Sequence, residues 1–146
     1  TGDEGSIDSD GFLKITGRVK DIFKTSKGKY IAPSPIEMIL SSNEYIEQVC
    51  VVGLNLPQPI AIVVLSSTKK HKNRSEISSV LLRTLELTNK ELDSHERLHN
   101  IVIVRDIWSV ENKLLTPTMK IKRNLIEKRY KDSYLEWYDG DKIIFA

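Results

Sequence analysis

The sequence predicts a small α+β domain: a short β-hairpin followed by a roughly three-stranded sheet packed with helices. Three observations lead there. First, Val49-Cys50-Val51-Val52, Ile60 through Leu65 and Ile101-Val102-Ile103-Val104 are continuous apolar runs rich in β-branched residues, the composition of buried strands. Second, Ile77, Val80, Leu81, Leu85 and Leu92 fall roughly on one face of a helix that follows Ser75. Third, residues 1–33 are rich in Gly, Asp and Lys, and Asp10-Gly11 is a hairpin signal.

Taken in order, Asp10-Gly11 introduces a strand at Phe12-Leu13-Lys14-Ile15. A tight reversal at Gly17-Arg18 leads to a second strand over residues 19–24. Lys27-Gly28-Lys29 is another turn, followed by Tyr30-Ile31. A helix starts at Ser34, with Pro35 in the first helical position, where its missing N–H costs nothing. Glu37 lies three residues after Ser34 and completes a capping box. Ile36, Ile39 and Leu40 form the buried stripe, and the helix ends near Ser42-Asn43. Residues 53–57 join the first two apolar strands, and the polar stretch 93–100 carries a short second helix before the third. After a loop through Thr116-Pro117-Thr118, a last helix begins near Ile121. Along it Ile126, Tyr130, Tyr134 and Tyr138 recur every four residues, with Leu125 beside them.

A length of 146 residues suits one domain, and 40% apolar content gives it a core. The net charge of +2 is too small to argue for nucleic acid or a membrane. Its distribution is uneven, however. Asp3, Glu4, Asp8 and Asp10 crowd the start, and seven bases between Lys113 and Lys131 face Glu127 alone. The single cysteine, Cys50, sits in an apolar run and reads as a small core residue; with no internal disulfide available, a reducing compartment is expected. No 18-residue apolar stretch or signal peptide is visible. A chain opening Thr-Gly-Asp is expected to be a fragment or processed product of something larger.

No phosphate-binding Gly-rich loop ending in Lys-Ser/Thr, no zinc-spaced Cys/His set and no nucleophile elbow is present. His71, His95 and His99 lie in the most polar part and read as solvated surface. Three polar groups stand out instead. Asp3, in a Gly-flanked turn, is a carboxylate able to accept from a vicinal diol. Gly17-Arg18-Val19-Lys20-Asp21, followed by Lys24 through Tyr30, places bases beside glycine, where phosphate or ribose can approach. Leu115-Thr116-Pro117-Thr118-Met119-Lys120-Ile121-Lys122-Arg123 delivers a lysine on an unstructured loop just before a helix. Positive charge is unfavourable at a helix N-terminus, and a broken local rule points to function.

In this order, the three groups resemble the adenylate-forming superfamily of acyl-CoA synthetases, peptide-synthetase adenylation domains and luciferases. The resemblance covers the whole chain. Thr1-Gly2-Asp3 looks like the end of the large N-terminal domain, Gly17-Arg18-Val19-Lys20-Asp21 like the hinge motif, and Pro117 through Arg123 like the C-terminal Pro-Thr-Gly-Lys-hydrophobic-x-Arg motif. Asp21 through Ser26, leading to Gly28-Lys29-Tyr30-Ile31-Ala32-Pro33, points to the long-chain fatty acyl-CoA synthetase branch, as does Leu115-Thr116-Pro117-Thr118. Met119 replaces the usual glycine, as long-chain members often do, and stiffens the loop. The motif alignment favours Lys120 over nearby Lys122.

The resemblance implies that residues 1–17 close the N-terminal domain and 18–146 form a lid domain. Lys120 would be catalytic, Asp3 and Arg18 would touch ATP, Lys20 would be the hinge, and Lys24, Gly28, Lys29 and Tyr30 would face coenzyme A. The co-substrates implied are ATP with Mg2+, held mainly by the N-terminal domain, a fatty acid and CoA; no metal site is implied on this chain. The fragment is expected to be inactive alone, cytoplasmic or held at a membrane surface. The basic last helix could meet CoA phosphates, although a solvated face is the simpler reading. Other readings are an acyl-carrier-protein acceptor, a docking domain for a larger partner, and a freestanding anion- or nucleic-acid-binding module.

Overall fold

A computed structural model describes residues 3–7, 13–18 and 22–146, the first two stretches as backbone only. Strands β1 (Asp3–Ile7) and β2 (Leu13–Arg18) pair antiparallel, with Ile7 opposite Leu13. The reversal expected at Gly17-Arg18 does not occur there: both residues continue β2, which pairing with β1 extends. A second small hairpin joins β3 (Phe23–Lys24) to β4 (Tyr30–Ile31).

Helix α1 (Pro33–Ser41) begins earlier than the sequence suggests. Pro33, not Pro35, takes the first position; Ala32 is the N-cap, and no side chain caps the helix. The capping box at Ser34 therefore does not form. Glu37 has a stronger partner, described below. Pro33, Ile36 and Leu40 are the buried stripe.

The apolar runs become β5 (Ile46–Val52), β6 (Ile60–Leu65) and, after helix α2 (Arg74–Lys90), β7 (Ile101–Ile103). Asn73 caps α2 by accepting from the Glu76 N–H at 2.7 Å. A 3-10 turn at Ser94–Glu96, closed by an Asp93/Glu96 capping box, carries the chain to β7. The expected long last helix is broken into α3 (Arg123–Tyr130), a 3-10 turn (Lys131–Ser133) and α4 (Tyr134–Tyr138). A fourth strand, β8 (Ile143–Phe145), then joins the three expected ones. Three residues are too short a run to announce a strand, but parallel pairing beside buried β7 supplies its hydrogen bonds.

The sheet order is β5-β6-β7-β8, antiparallel at β5/β6 and parallel thereafter. Because side chains alternate along a strand, the sheet divides the core in two. Val49, Val51, Ala61, Val63, Ile101 and Ile103 meet α1 and α2 on one face. Cys50, Val52, Ile62, Val64 and Val102 meet Trp108, Leu114, Leu115 and the α3/α4 side chains Ile126, Tyr130, Tyr134 and Trp137 on the other.

One histidine departs from its expected surface role. His99 is half-buried, stacks on Tyr138 at a 3.8 Å centroid distance and bonds the Tyr138 carbonyl through Nε2 at 2.8 Å. With Asn100, whose Nδ2 donates to the carbonyls of Trp137 and Asp141, it clips the return from α4 into β8. No helix among the described residues is long and apolar enough to cross a membrane.

Candidate functional site: two lysine hairpins and a buried ion pair

Lys120 stands at the end of a five-residue hairpin loop, 116–120, built by local hydrogen bonds. The Thr116 N–H donates to the Lys120 carbonyl at 2.7 Å, and the Met119 N–H donates to the Thr116 carbonyl at 2.8 Å. The Lys120 N–H donates to Thr116 Oγ1 at 3.1 Å. Pro117 fixes one φ in the turn, and Met119 sits at φ 66°, in the left-handed region. The expected unstructured loop is therefore a tight turn. Below it, Leu115 bridges to Ile121 and the Lys122 N–H donates to the Leu114 carbonyl at 2.8 Å. Leu114 and Leu115 are buried, whereas Lys120 is exposed.

The loop at Lys29 repeats this construction. The Thr25 N–H donates to the Lys29 carbonyl at 2.8 Å, Gly28 N–H to the Thr25 carbonyl at 3.0 Å, and Lys29 N–H to Thr25 Oγ1 at 3.3 Å. Here the left-handed residue is Gly28, at φ 78°. Both loops read Thr-x-x-(left-handed residue)-Lys, a threonine tying together the base and presenting a lysine. The first is braced from outside by the 53–59 loop, since Ser26 N–H donates to the Leu56 carbonyl at 2.9 Å. Lys24 lies over the Tyr30 ring at 5.7 Å, and Tyr30 is 66% exposed. Lys24, Gly28, Lys29 and Tyr30 thus share one exposed hairpin, separate from that of Lys120.

Asp3 and Arg18 are cross-strand partners in the β1/β2 register, which places these two sequence-derived candidates side by side on the backbone. Lys20 lies outside the described residues.

The sequence reading missed what holds Lys120's hairpin to the body. Arg123 opens α3 and is buried, with 7% of its side chain exposed against 13% for Glu37. Its Nη1 and Nη2 meet the two Glu37 carboxylate oxygens at 2.6 and 2.8 Å, a bidentate pair. Nη1 also donates to the Val51 carbonyl at 3.0 Å and reaches Cys50 Sγ at 3.3 Å, while Glu37 Oε2 accepts from the Val51 N–H at 2.7 Å. Because β5 is an edge strand, the outward N–H and C=O of Val51 would otherwise lack ladder partners. One ion pair therefore closes the sheet edge and ties α3 to α1. Removing one partner strands a buried charge, at a typical cost of about 3–5 kcal/mol. The unfavourable cation at the α3 N-terminus is thus Arg123, offset by Glu37; Lys120 stands on the hairpin before it. The signal was present in the sequence as the terminal Arg of the quoted motif and as Glu37 beside buried Ile36, but nothing there joined them.

On the same side of the sheet, Trp108 Nε1 donates to Tyr130 Oη at 3.2 Å, which donates to Asp106 Oδ2 at 2.8 Å. That bond, aided by Arg129, holds the Asp106 carboxyl below its usual range, and burial pushes the Tyr130 phenol up. The α3/α4 region walls a groove of about 670 Å³ with Leu54, Asn55 and Leu56. Its bases Lys128 and Lys131 are matched by Glu127 and Asp132, so it has no net preference for phosphate. A second concavity of about 310 Å³ collects Lys70, Lys72, Arg74 and Arg105, but Lys72 reaches Glu76 at 3.9 Å and Arg74 lies over Phe145 at 4.9 Å. Among the described residues no group of three or more His, Cys, Asp or Glu could hold a metal.

Comparison with known proteins fits this arrangement. The chain is 34% identical over 156 residues to fatty acyl-CoA synthetase B of Dictyostelium discoideum, covering 94% of this chain and 23% of that protein. It is 33% identical to long-chain-fatty-acid–CoA ligase 6 of Mus musculus, covering 94% of this chain and 22% of that protein. It therefore spans less than a quarter of these relatives' length. Its fold matches the adenylation domain of a carboxylate reductase from Mycobacterium chelonae with a TM-score of 0.79, at 23% identity over 96% of this chain and 23% of that one. The adenylation domain of the Segniliparus rugosus carboxylic acid reductase, solved with AMP and a co-purified carboxylic acid, matches equally, with a TM-score of 0.79 at 24% identity over 94% of this chain and 23% of that one. The sequence pattern described as the AMP-binding enzyme C-terminal domain matches residues 20–142. A matched span that takes in both lysine hairpins and the Glu37–Arg123 pair identifies the chain as a member of this C-terminal domain family of the adenylate-forming superfamily.

Proposed function

We propose that this chain is the moving C-terminal lid of an AMP-forming fatty acid–CoA ligase and supplies its adenylation lysine, Lys120. The observation that carries the reading is the presentation of Lys120: exposed, on a hydrogen-bonded hairpin, and outside the lining of both concavities found among the described residues. Such a group is useful only against a site on another domain.

In the first half-reaction, a fatty acid carboxylate oxygen attacks the α-phosphorus of ATP. The bond from that phosphorus to the bridging oxygen breaks, and pyrophosphate leaves; magnesium, held by the N-terminal domain, would offset its charge. The Lys120 ammonium lies against the carboxylate and α-phosphate oxygens, where negative charge concentrates. One positioned donor of this kind is worth about 3–4 kcal/mol, or roughly two to three orders of magnitude in rate. In the second half, the CoA thiol loses its proton to solvent and its sulfur attacks the acyl carbonyl; the bond from that carbon to the phosphate oxygen breaks and AMP leaves. Lys120 then withdraws and the Lys24–Tyr30 hairpin approaches, the domain turning about Lys20. Asp3 and Arg18 hold the nucleotide ribose and phosphate. The enzyme works in the cytoplasm or at a membrane surface.

The test joins the chain to its large N-terminal domain. Lys120→Ala is expected to slow adenylate formation by about 100- to 1000-fold while thioester formation from supplied acyl-adenylate stays within a few-fold. Equal slowing of both halves would sink the assignment. Lys20→Pro, which fixes φ, should give the opposite split. Replacing CoA by an acyl-carrier protein as acceptor separates the two ligase readings, and salt-dependent RNA binding by this chain alone would favour the nucleic-acid reading. The burial of Trp108, Tyr130, Tyr134 and Trp137 speaks against that last reading, because these rings are not open to stacking bases.

A further inference from the structure

We infer that Arg123, clamped by Glu37, is the positioning residue for Lys120: it sets where the hairpin's lysine stands and acts on the first half-reaction only through it. The inference rests on the proposed function, which gives Lys120 its role, and adds a device that the role requires.

The two legs of the Lys120 hairpin are held differently. The rising leg enters the core through Leu114 and Leu115. Apolar packing of this kind resists withdrawal but is not directional. The falling leg passes Ile121 and Lys122 to Arg123, whose guanidinium makes directed contacts with both Glu37 oxygens and the Val51 carbonyl. Glu37 is itself fixed by the Val51 N–H. The clamp therefore refers the hairpin to two separate elements, α1 and β5, and fixes its tilt as well as its depth. A planar fork meeting a carboxylate bidentately tolerates little rotation. Lys122 does not share this duty: among the described residues its side chain has no bidentate partner, and its backbone serves as N-cap of α3.

The hairpin presenting Lys29 is braced through Ser26 and Leu56 instead. A change at Arg123 should therefore reach one half-reaction and spare the other. A one-ångström misplacement of a catalytic group can cost about 100-fold.

The experiment uses the full-length ligase carrying Arg123→Lys, and separately the paired change Glu37→Leu with Arg123→Met, which removes both buried charges if the single variant folds poorly. Each is assayed, at a temperature where its thermal transition shows it folded, for adenylate formation and for thioester formation from supplied acyl-adenylate. The expected result is a loss of about 10- to 100-fold in the first rate, with the second within threefold. A cycle with Lys120→Ala supplies the readout that a merely structural role would not give. In the Lys120→Ala background, Arg123→Lys should cost nothing further in the first half.

Equal losses in both halves, no loss in the first, or a full additional loss in the Lys120→Ala background would each overturn the positioning role. If instead Lys120→Ala leaves adenylation untouched, the functional reading fails and the positioning role falls with it. An active role for Lys120 with a silent Arg123 overturns the positioning role alone.

Discussion

The hairpins at Gly28 and Met119 share one design and differ in the residue that takes the left-handed conformation. Each ties its base with a threonine hydroxyl and backbone bonds, and each needs one residue at positive φ. Glycine meets that need without strain; methionine has a Cβ crowding the backbone, at about 1–2 kcal/mol. The second difference lies beneath the loops. The glycine hairpin leans on another loop, while the methionine hairpin is anchored by an ion pair and two buried leucines. The hairpin carrying the proposed catalytic lysine is thus the more strained and the more firmly held. Strain persists where the surroundings over-determine a conformation.

The sharpest way to break the comparison is to exchange effects between the loops. In the joined enzyme, Lys29→Ala should lower thioester formation about tenfold, the equivalent of about 1.4 kcal/mol for one charged contact, and leave adenylation within twofold. Loss of adenylation instead would mean that the two lysines serve one site.

Gly53→Ala strikes the brace of the first hairpin. A Cβ there would stand 2.9 Å from Pro59 Cα and 3.1 Å from the Phe23 ring. The backbone must shift, at a cost of about 1–3 kcal/mol, which chemical denaturation of this chain will read. In the enzyme the loss should fall on the Lys29 side.

Next come the turn residues themselves. Gly28→Ala meets only Lys24 Cε, at 3.7 Å, so its cost is the φ alone, about 1 kcal/mol. Met119→Gly should do the reverse and stabilise by up to about 1 kcal/mol, seen as a rise of roughly 2–4 °C in melting temperature. If Met119→Gly destabilises, the methionine side chain packs usefully and the strain argument is wrong.

The smallest effect is acid-dependent. The Asp106 carboxyl titrates below its ordinary value because Tyr130, and then Arg129, hydrogen-bond its charged form. The stability it contributes is complete above the unfolded value near pH 4 and is lost as pH falls through the lower folded value. Asp106→Asn should flatten the stability curve below about pH 4 and leave the difference from wild type constant above it. An unchanged acid slope would show that another carboxylate governs this range.

How much of this was legible in the sequence depended on whether the signal was local. The apolar runs declared their strands because β-branched residues in short blocks have few alternatives. The hairpin at Lys27-Gly28-Lys29 declared its turn through glycine. Met119 hid the equivalent turn, since methionine carries no propensity for positive φ, and the loop read as unstructured. Glu37 misled for a related reason: its spacing from Ser34 suits a cap, but Arg123, distant in sequence, offers a bidentate partner that a capping bond cannot match. Strand β8 and the His99–Tyr138 stack likewise depend on partners about forty residues away. The motifs pointed to Lys120, Lys29 and Tyr30, which the fold leaves exposed, but gave no hint of what holds them.

The parallel pairing of β7 with both neighbours constrains the order in which the chain can assemble. The β5/β6 ribbon closes across a short loop and can form early, whereas Ala61 meets Ile101, and Ile101 meets Ile143, only after long segments are enclosed. Closing such segments is entropically slow. During synthesis the fully buried β7 therefore has one flank open until residues 143–145 have left the ribosome, a window in which it can pair with the wrong chain.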